Sequence, residues 1–218
     1  MPTQVTTEQV KELRDNTGIS VMQCKRALEE ADGDMKKALA ILKKTSSDIA
    51  LKKVNREVKD GRVGIKVIEE GKDKKAVLVS LLCETDFVAR NEDFTNLLDR
   101  LSDKALKEGV EKMKAEAKDM IDSIIQKTGE NIQLGEAYEV SGKVLGTYVH
   151  NNKIGVIVSL TGGSAELAKD IAMQVTALEP ENEKALLEQE FIKDTSVTIG
   201  GLLAKAGAKI KEVKRCSI

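Results

Sequence analysis

Three cysteines, one histidine and one aromatic residue set among carboxylates are the groups through which this 218-residue chain could do chemistry. Cys24, Cys83 and Cys216 stand far apart with no CxxC pair, and His150 is the only histidine, so neither a zinc site nor a disulfide framework is spelled out. One imidazole could serve one Cys or Ser nucleophile, yet no local signature surrounds such a dyad. A GxxxxGK[ST] loop, a GxGxxG after a strand and an HExxH are also missing. Paired carboxylates are plentiful, but with 33% of residues charged they carry little information. An enzyme acting on a small molecule is disfavoured, and no cofactor or metal is expected.

The segment that stands out is Cys83-Glu84-Thr85-Asp86-Phe87, which places one of three Phe beside two carboxylates where an apolar run gives way to helical spacing. The plain expectation is that Phe87 turns inward and caps the core. The alternative is a wedge: an aromatic on a rigid turn, with a neighbouring carboxylate, could enter a partner's pocket and disturb charged groups there. His150 alone reads as a solvated polar residue at a strand end.

These residues need elements to hold them. At the N-terminus, Thr6 with Gln9 and Ser20 with Gln23 have capping-box spacing, Gly18 is a left-handed stop, and Asp32-Gly33-Asp34 ends a second helix and caps a third. Apolar residues recur at helical intervals through Val10 and Leu13, then Met22 to Ala31, then Met35 to Leu42. This predicts a three-helix bundle in residues 1–54, small enough to act as a docking head on something larger. Ile19, Val21 and Met22 cannot all face its interior, so Met22 is either core or an exposed apolar contact. Residues 36–59 form the one basic run, interrupted by Leu42, Ile49 and Val54, and Thr45-Ser46-Ser47 predicts a break within it. A solvated helix face accounts for it better than a nucleic-acid contact.

Residues 55–218 read as an α+β core. A hairpin is predicted over 63–68 and 76–83, then two helices over 94–105 and 110–125, then a three-stranded meander over 132–140, 144–149 and 154–160. Helices follow over 165–178, 183–191 and 199–206, with a closing strand over 208–213. Strands and helices arrive in groups without βαβ alternation, which points to α+β.

Composition restricts the partners. With 35 basic against 36 acidic residues the net charge is −1, so a uniformly basic nucleic-acid binder is not expected. Trp is absent, and 2 Tyr and 3 Phe do not make a base-stacking platform. No apolar stretch reaches the roughly 18 residues that a membrane span needs. The opening MPTQVTTEQ has no basic and apolar leader pattern, and scattered cysteines suit a reducing compartment, so a cytoplasmic protein is expected.

The chain resembles the translation elongation factor Ts family along nearly its whole length. The resemblance is carried in order by LRDNTGISVMQCKRALEEADGDMKKALAILKK from Leu13, CETDFVARNEDF from Cys83, IIQKTGENI, VLGTYVHNNKIGVIV from Val144, ELAKDIAMQVTALEP from Glu166, LLEQEFIKD and TIGGLLAKAGAKI. It implies a ubiquitin-associated-like head, a dimerisation core, and guanine-nucleotide exchange on elongation factor Tu without covalent chemistry. Such a factor binds the GDP form, disrupts magnesium and phosphate contacts, releases GDP and is displaced on GTP reloading. Carried over residue by residue, the resemblance makes Thr85, Asp86 and Phe87 the wedge. Arg14, Val21, Met22 and Lys25 become head contacts, and His150 a contact near the partner's nucleotide domain.

The chain resembles the short form of the family, which implies one core sheet unit and a homodimer in a two-plus-two complex, with Cys216 at the dimer interface. It departs from the family at Gln23, where Asp is common, and in the tail VKRCSI, which lacks an aromatic-acidic-Gly ending. Two other classes fit parts of the chain. A ubiquitin-associated-like adaptor explains the head but not ETDFVARN, and an RNA-binding translation factor would use the basic run from Lys36 to Lys59 with steep salt dependence.

Overall fold

The computed structural model describes residues 5–218. The chain opens with α1 (Thr7–Thr17), α2 (Val21–Glu30) and α3 (Met35–Lys53). At α1 the capping box forms as the spacing predicts: Thr6 Oγ1 accepts the Gln9 N–H at 3.2 Å and Gln9 Oε1 accepts the Thr6 N–H at 3.0 Å. Gly18 ends α1 at φ 69°, and the Asp34 carboxylate caps α3 by accepting the Lys37 N–H at 3.0 Å. Val10, Leu13, Ile19, Cys24, Leu28, Ala38 and Leu42 form the head's own core.

The expected break at Thr45-Ser46-Ser47 does not occur, and α3 runs through it for 19 residues. The hydroxyls turn back onto the helix instead: Thr45 donates to the Ile41 carbonyl at 2.9 Å and Ser46 to that of Lys43 at 2.7 Å. The first half of α3 therefore closes the head, while Ala50 in its second half joins the core beyond it.

The remaining elements, in order, are β1 (Asp60–Glu70), β2 (Asp73–Cys83), α4 (Asp86–Ala89), α5 (Glu92–Glu108), α6 (Val110–Thr128), β3 (Ile132–Gly142), β4 (Val144–His150), β5 (Ile154–Thr161), α7 (Ala165–Leu178), α8 (Glu183–Glu188), β6 (Glu190–Phe191), β7 (Asp194–Thr198), α9 (Ile199–Lys205) and β8 (Lys209–Ser217). The helix expected over 183–191 stops at Glu188, and its last residues pair with β7.

Strand pairing corrects the meander. β3 joins the hairpin in the order β1-β2-β3, and β4 and β5 pair with β8 in a second sheet, so the described residues hold two three-stranded antiparallel sheets where one was expected. Lys143 alone separates β3 from β4. A tight hairpin needs about two loop residues, so the chain crosses between sheets at this point.

The two sheets face each other, and helices cover their outer sides. Strand alternation divides β2 between two layers: Ala76 and Leu78 point between the sheets, while Val77, Val79, Leu81 and Cys83 meet Phe94, Leu97, Leu101 and Met113 of the helices. β5 does the same with Ile157 inside and Val156, Val158 and Leu160 against α7 and the C-terminal helices. α5 and α6 form an antiparallel pair. Asp93 at the start of α5 reaches Lys127 at the end of α6 at 2.9 Å, and Lys104 reaches Glu116 at 2.6 Å. Gly146 lets α7 approach β4, because a Cβ there would lie 2.1 Å from the Ala168 carbonyl carbon.

Candidate partner-binding surface

β2 ends at Cys83, and the chain must turn sharply into the one-turn helix α4. Thr85 caps that turn, with Oγ1 accepting the Val88 N–H at 3.4 Å. A single carboxylate holds the turn from behind. Glu130 Oε2 accepts the N–H of Glu84 at 3.1 Å and of Thr85 at 3.0 Å, and Oε1 accepts the Thr85 hydroxyl at 2.6 Å. Glu84 in turn accepts the Asn131 N–H at 2.6 Å and pairs with Arg56 at 3.4 Å. The buried Asn131 amide donates to the Arg56 carbonyl at 2.7 Å, which ties the exit from α3 into the same knot.

The Cys83 thiol donates to the Thr85 carbonyl at 3.2 Å. Burial above all, with the Glu130 and Asp60 carboxylates adding to it, pushes this thiol up to about 12. It is a structural thiol, not a nucleophile.

Phe87 does not cap the core. It is 83% exposed, while Phe94 is fully buried and takes the interior position. Beside it, Asp86 pairs with Arg90 at 3.1 Å.

The turn after β4 comes to the same place. Asn151 and Asn152 adopt φ of 50° and 57°, a left-handed conformation that Asn tolerates well. The turn docks on β1, where Val63 donates its N–H to the Asn152 carbonyl at 2.8 Å. Lys153 Nζ donates to Asp60 and, at 2.9 Å, to the Gly61 carbonyl. Burial opposes the Asp60 charge, but the Lys153 ammonium and the Gly61 N–H hold its carboxyl below the usual carboxylate range. A cleft of about 130 Å³ is walled by Asp60, Arg62, Asp86, Arg90, Asn151, Asn152 and Lys153. His150 stands exposed at its margin, with Nδ1 3.4 Å from the Tyr148 hydroxyl and Nε2 3.1 Å from the Asn151 amide.

The head residues form a separate exposed group on α1 and α2. Arg14 and Lys25 are exposed, with Lys25 3.7 Å from Glu29, and Val21 and Met22 are 49% and 60% exposed while Ile19 is buried. The head meets the end of α6, where Gln126 Nε2 donates to Gln23 Oε1 at 3.0 Å and the Lys127 side chain closes over Gly18. Two residues further on, Gly129 leads into Glu130, so α6 runs from the head contact to the support of the Phe87 turn.

A model of the family described as Elongation factor TS matches residues 84–182. That match takes in the Phe87 turn, Glu130, Asn131 and the His150 turn. The protein named Elongation factor Ts of Hahella chejuensis is 35% identical, over 98% of this chain and 92% of its own. That of Arthrospira platensis is 39% identical over 81% and 75%, and that of Acinetobacter baylyi 42% over 82% and 63%. The chain belongs to the elongation factor Ts family.

The Hahella alignment spans 264 positions against 218 residues here, so this member of the elongation factor Ts family lacks segments that the relative contains. Sequence reasoning singled out Thr85, Asp86, Phe87 and His150 but missed the residues that hold them. Glu130, Asn131, Lys153 and Asp60 carry no local signal of that role. Glu130 and Asn131 lie within IIQKTGENI and Lys153 within VLGTYVHNNKIGVIV, two of the segments that carry the family resemblance. Cys216 lies near the C-terminal end of β8. It is 3% exposed in the layer between the sheets, beside Leu78 and Ile157, and burial pushes its thiol up to about 11.

The basic run is largely engaged or solvated on α3. Lys43 pairs with Asp119 at 2.8 Å, Lys53 donates to the Gly129 carbonyl, and Arg56 meets Glu84. Among the described residues no helix is long and apolar enough to cross a membrane.

Proposed function

We propose that this chain is a guanine-nucleotide exchange factor for elongation factor Tu in translation elongation, working in the cytoplasm by binding alone. It binds the GDP form, inserts Phe87 with Asp86 beside it into the partner's nucleotide domain, and loosens the magnesium and phosphate contacts so that GDP leaves. GTP reloading then displaces it. Arg14, Val21, Met22 and Lys25 dock the head on the same partner, and His150 adds a contact beside the wedge.

Family membership supports the reading, and one observation carries the mechanism: Phe87 is 83% exposed on a turn held by three hydrogen bonds to one carboxylate. An aromatic ring left in water on a rigid support gives up apolar stabilisation in the free protein that docking recovers. Interfaces concentrate their energy in anchors of this kind. The coupling must be reciprocal: a factor that binds nucleotide-free partner best weakens nucleotide binding by the same factor that nucleotide weakens its own.

The deciding experiment follows release of a fluorescent GDP analogue from purified elongation factor Tu, with catalytic amounts of this protein. Strong acceleration is expected, with at least a tenfold loss in Phe87→Ala. No acceleration would overturn the exchange reading, and full activity in Phe87→Ala would remove the wedge.

A further inference from the structure

We propose that Glu130 is a positioning residue that fixes the direction in which Phe87 is presented, an inference that rests on Phe87 being the partner's contact. α4 has only four residues, too few to hold its own geometry in water. Phe87 is its second residue, so the ring points wherever α4 points. The orientation of α4 is set at its cap, and the cap is set by Glu130. The hydroxyl proton of Thr85 is committed to Glu130 Oε1 at 2.6 Å, which leaves the oxygen to accept the Val88 N–H.

The same carboxylate takes the N–H groups of Glu84 and Thr85, at 3.1 Å and 3.0 Å, where β2 has ended and no ladder partner remains. Three donors converge on one ionised group, the strong class of hydrogen bond. Glu130 itself sits where α6 has ended at Gly129 and β3 has yet to begin at Ile132, so its own backbone is anchored from both sides.

Without Glu130 the turn loses the acceptor for two backbone donors and for the capping hydroxyl at once. Phe87 would then sample several directions, and docking would have to order it, an entropic cost that the wild type has already met in folding. Glutamine at this position can turn its oxygen to the two N–H groups and its amide to Thr85 Oγ1, so Glu130→Gln retains much of the support that Glu130→Ala removes.

The test compares the wild type, Glu130→Ala, Glu130→Gln, Phe87→Ala and the double variant Glu130→Ala/Phe87→Ala in fluorescent GDP release from elongation factor Tu. Amide hydrogen exchange on the free proteins runs in parallel. Glu130→Ala is expected to lose about tenfold in acceleration, Glu130→Gln to recover most of it, and the double variant to match Phe87→Ala alone, because Glu130 acts through the ring. In hydrogen exchange, protection is expected to fall at Glu84 and Thr85 while β2 and α5 keep theirs. Unchanged acceleration in Glu130→Ala, losses that multiply in the double variant, or protection lost across the whole core would each overturn the proposal. If the wild type itself fails to accelerate release, the exchange reading falls, and protection at Glu84 and Thr85 alone judges the positioning: lost locally in Glu130→Ala it stands, retained it does not.

Discussion

Gln23 of the head and Gln126 of α6 meet in one hydrogen bond of 3.0 Å between residues 103 positions apart. Gln126 is 7% exposed, so its amide has little water to turn to. The bond gives meaning to the departure at Gln23: a longer amide here reaches an amide partner on the core. Gln126→Ala leaves Gln23 without that donor and opens space at the joint. A loss of about 1 kcal/mol is expected in urea denaturation, the usual net worth of such a bond. Amide exchange should quicken in α1 and α2 more than in the sheets, and uniform exchange across both parts would show that the bond does not hold the head.

Met22 and Val21 are apolar residues in water at the start of α2, at 60% and 49% exposure, while the head's core is complete without them. Met22→Ala should therefore leave the unfolding free energy within about 0.5 kcal/mol of wild type. Affinity for nucleotide-free elongation factor Tu should fall about fivefold, on the order of 1 kcal/mol, as for a moderate interface anchor. Urea denaturation checks the first statement and calorimetric titration the second. Unaltered affinity would take the head's apolar corner out of the interface.

Local patterns made most of the elements readable and few of the contacts. The helix Ala165–Leu178 has the limits that its apolar period and Pro180 predict, and the caps at Thr6 and Asp34 form where spacing places them. Thr45, Ser46 and Ser47 misled because a hydroxyl that can break a helix can equally bond back to it, and only packing against α6 decides which. Ser47 makes the point, donating to Asp122 on α6 at 3.0 Å. The partner of β3 was hidden for the same reason. Its pairing with β2, such as Val77 opposite Glu139, is a relationship across some 60 positions that no window contains. The site divides likewise. Phe87 and His150 are conspicuous as types, but whether Phe87 faces water depends on Phe94 filling the core, and its support depends on Glu130, 45 positions from the Thr85 that it holds.

The resemblance to short family members implies a homodimer with a single sheet unit from each copy. In this chain the two sheets already cover one another: Val63, Leu78, Val140, Leu145 and Ile157 are buried between them. A Cβ on Gly155 would lie 2.5 Å from Val63 Cγ1, so the sheets are close enough to leave no room for an inserted layer. Light scattering at micromolar concentration is expected to give the mass of the implied homodimer, twice the 23.8 kDa of one chain. A non-reducing gel should show no cross-linked species, since Cys24, Cys83 and Cys216 are all buried. That dimer must use an interface outside the inter-sheet layer, and the mass of one chain would overturn it.

Cys83 gives the fold an alkaline limit. In the unfolded chain its thiol titrates near 9.0, and in the folded protein burial holds the proton up to about 12. The unfolded state therefore sheds this proton first as pH rises, so the stabilisation is whole below pH 9 and declines from there toward 12. Between pH 9 and 11 the lost contribution amounts to about 2 kcal/mol, at 1.36 kcal/mol for each unit of separation. Cys83→Ala removes the titration and with it the thiol's bond to the Thr85 carbonyl, so the variant starts out less stable at neutral pH. Urea denaturation at several pH values should show the gap between wild type and variant narrowing by about that 2 kcal/mol as pH climbs. A constant gap would mean that the thiol ionises in the folded protein as readily as in the unfolded one, which a sulfur with no exposed surface and two carboxylates nearby should not do.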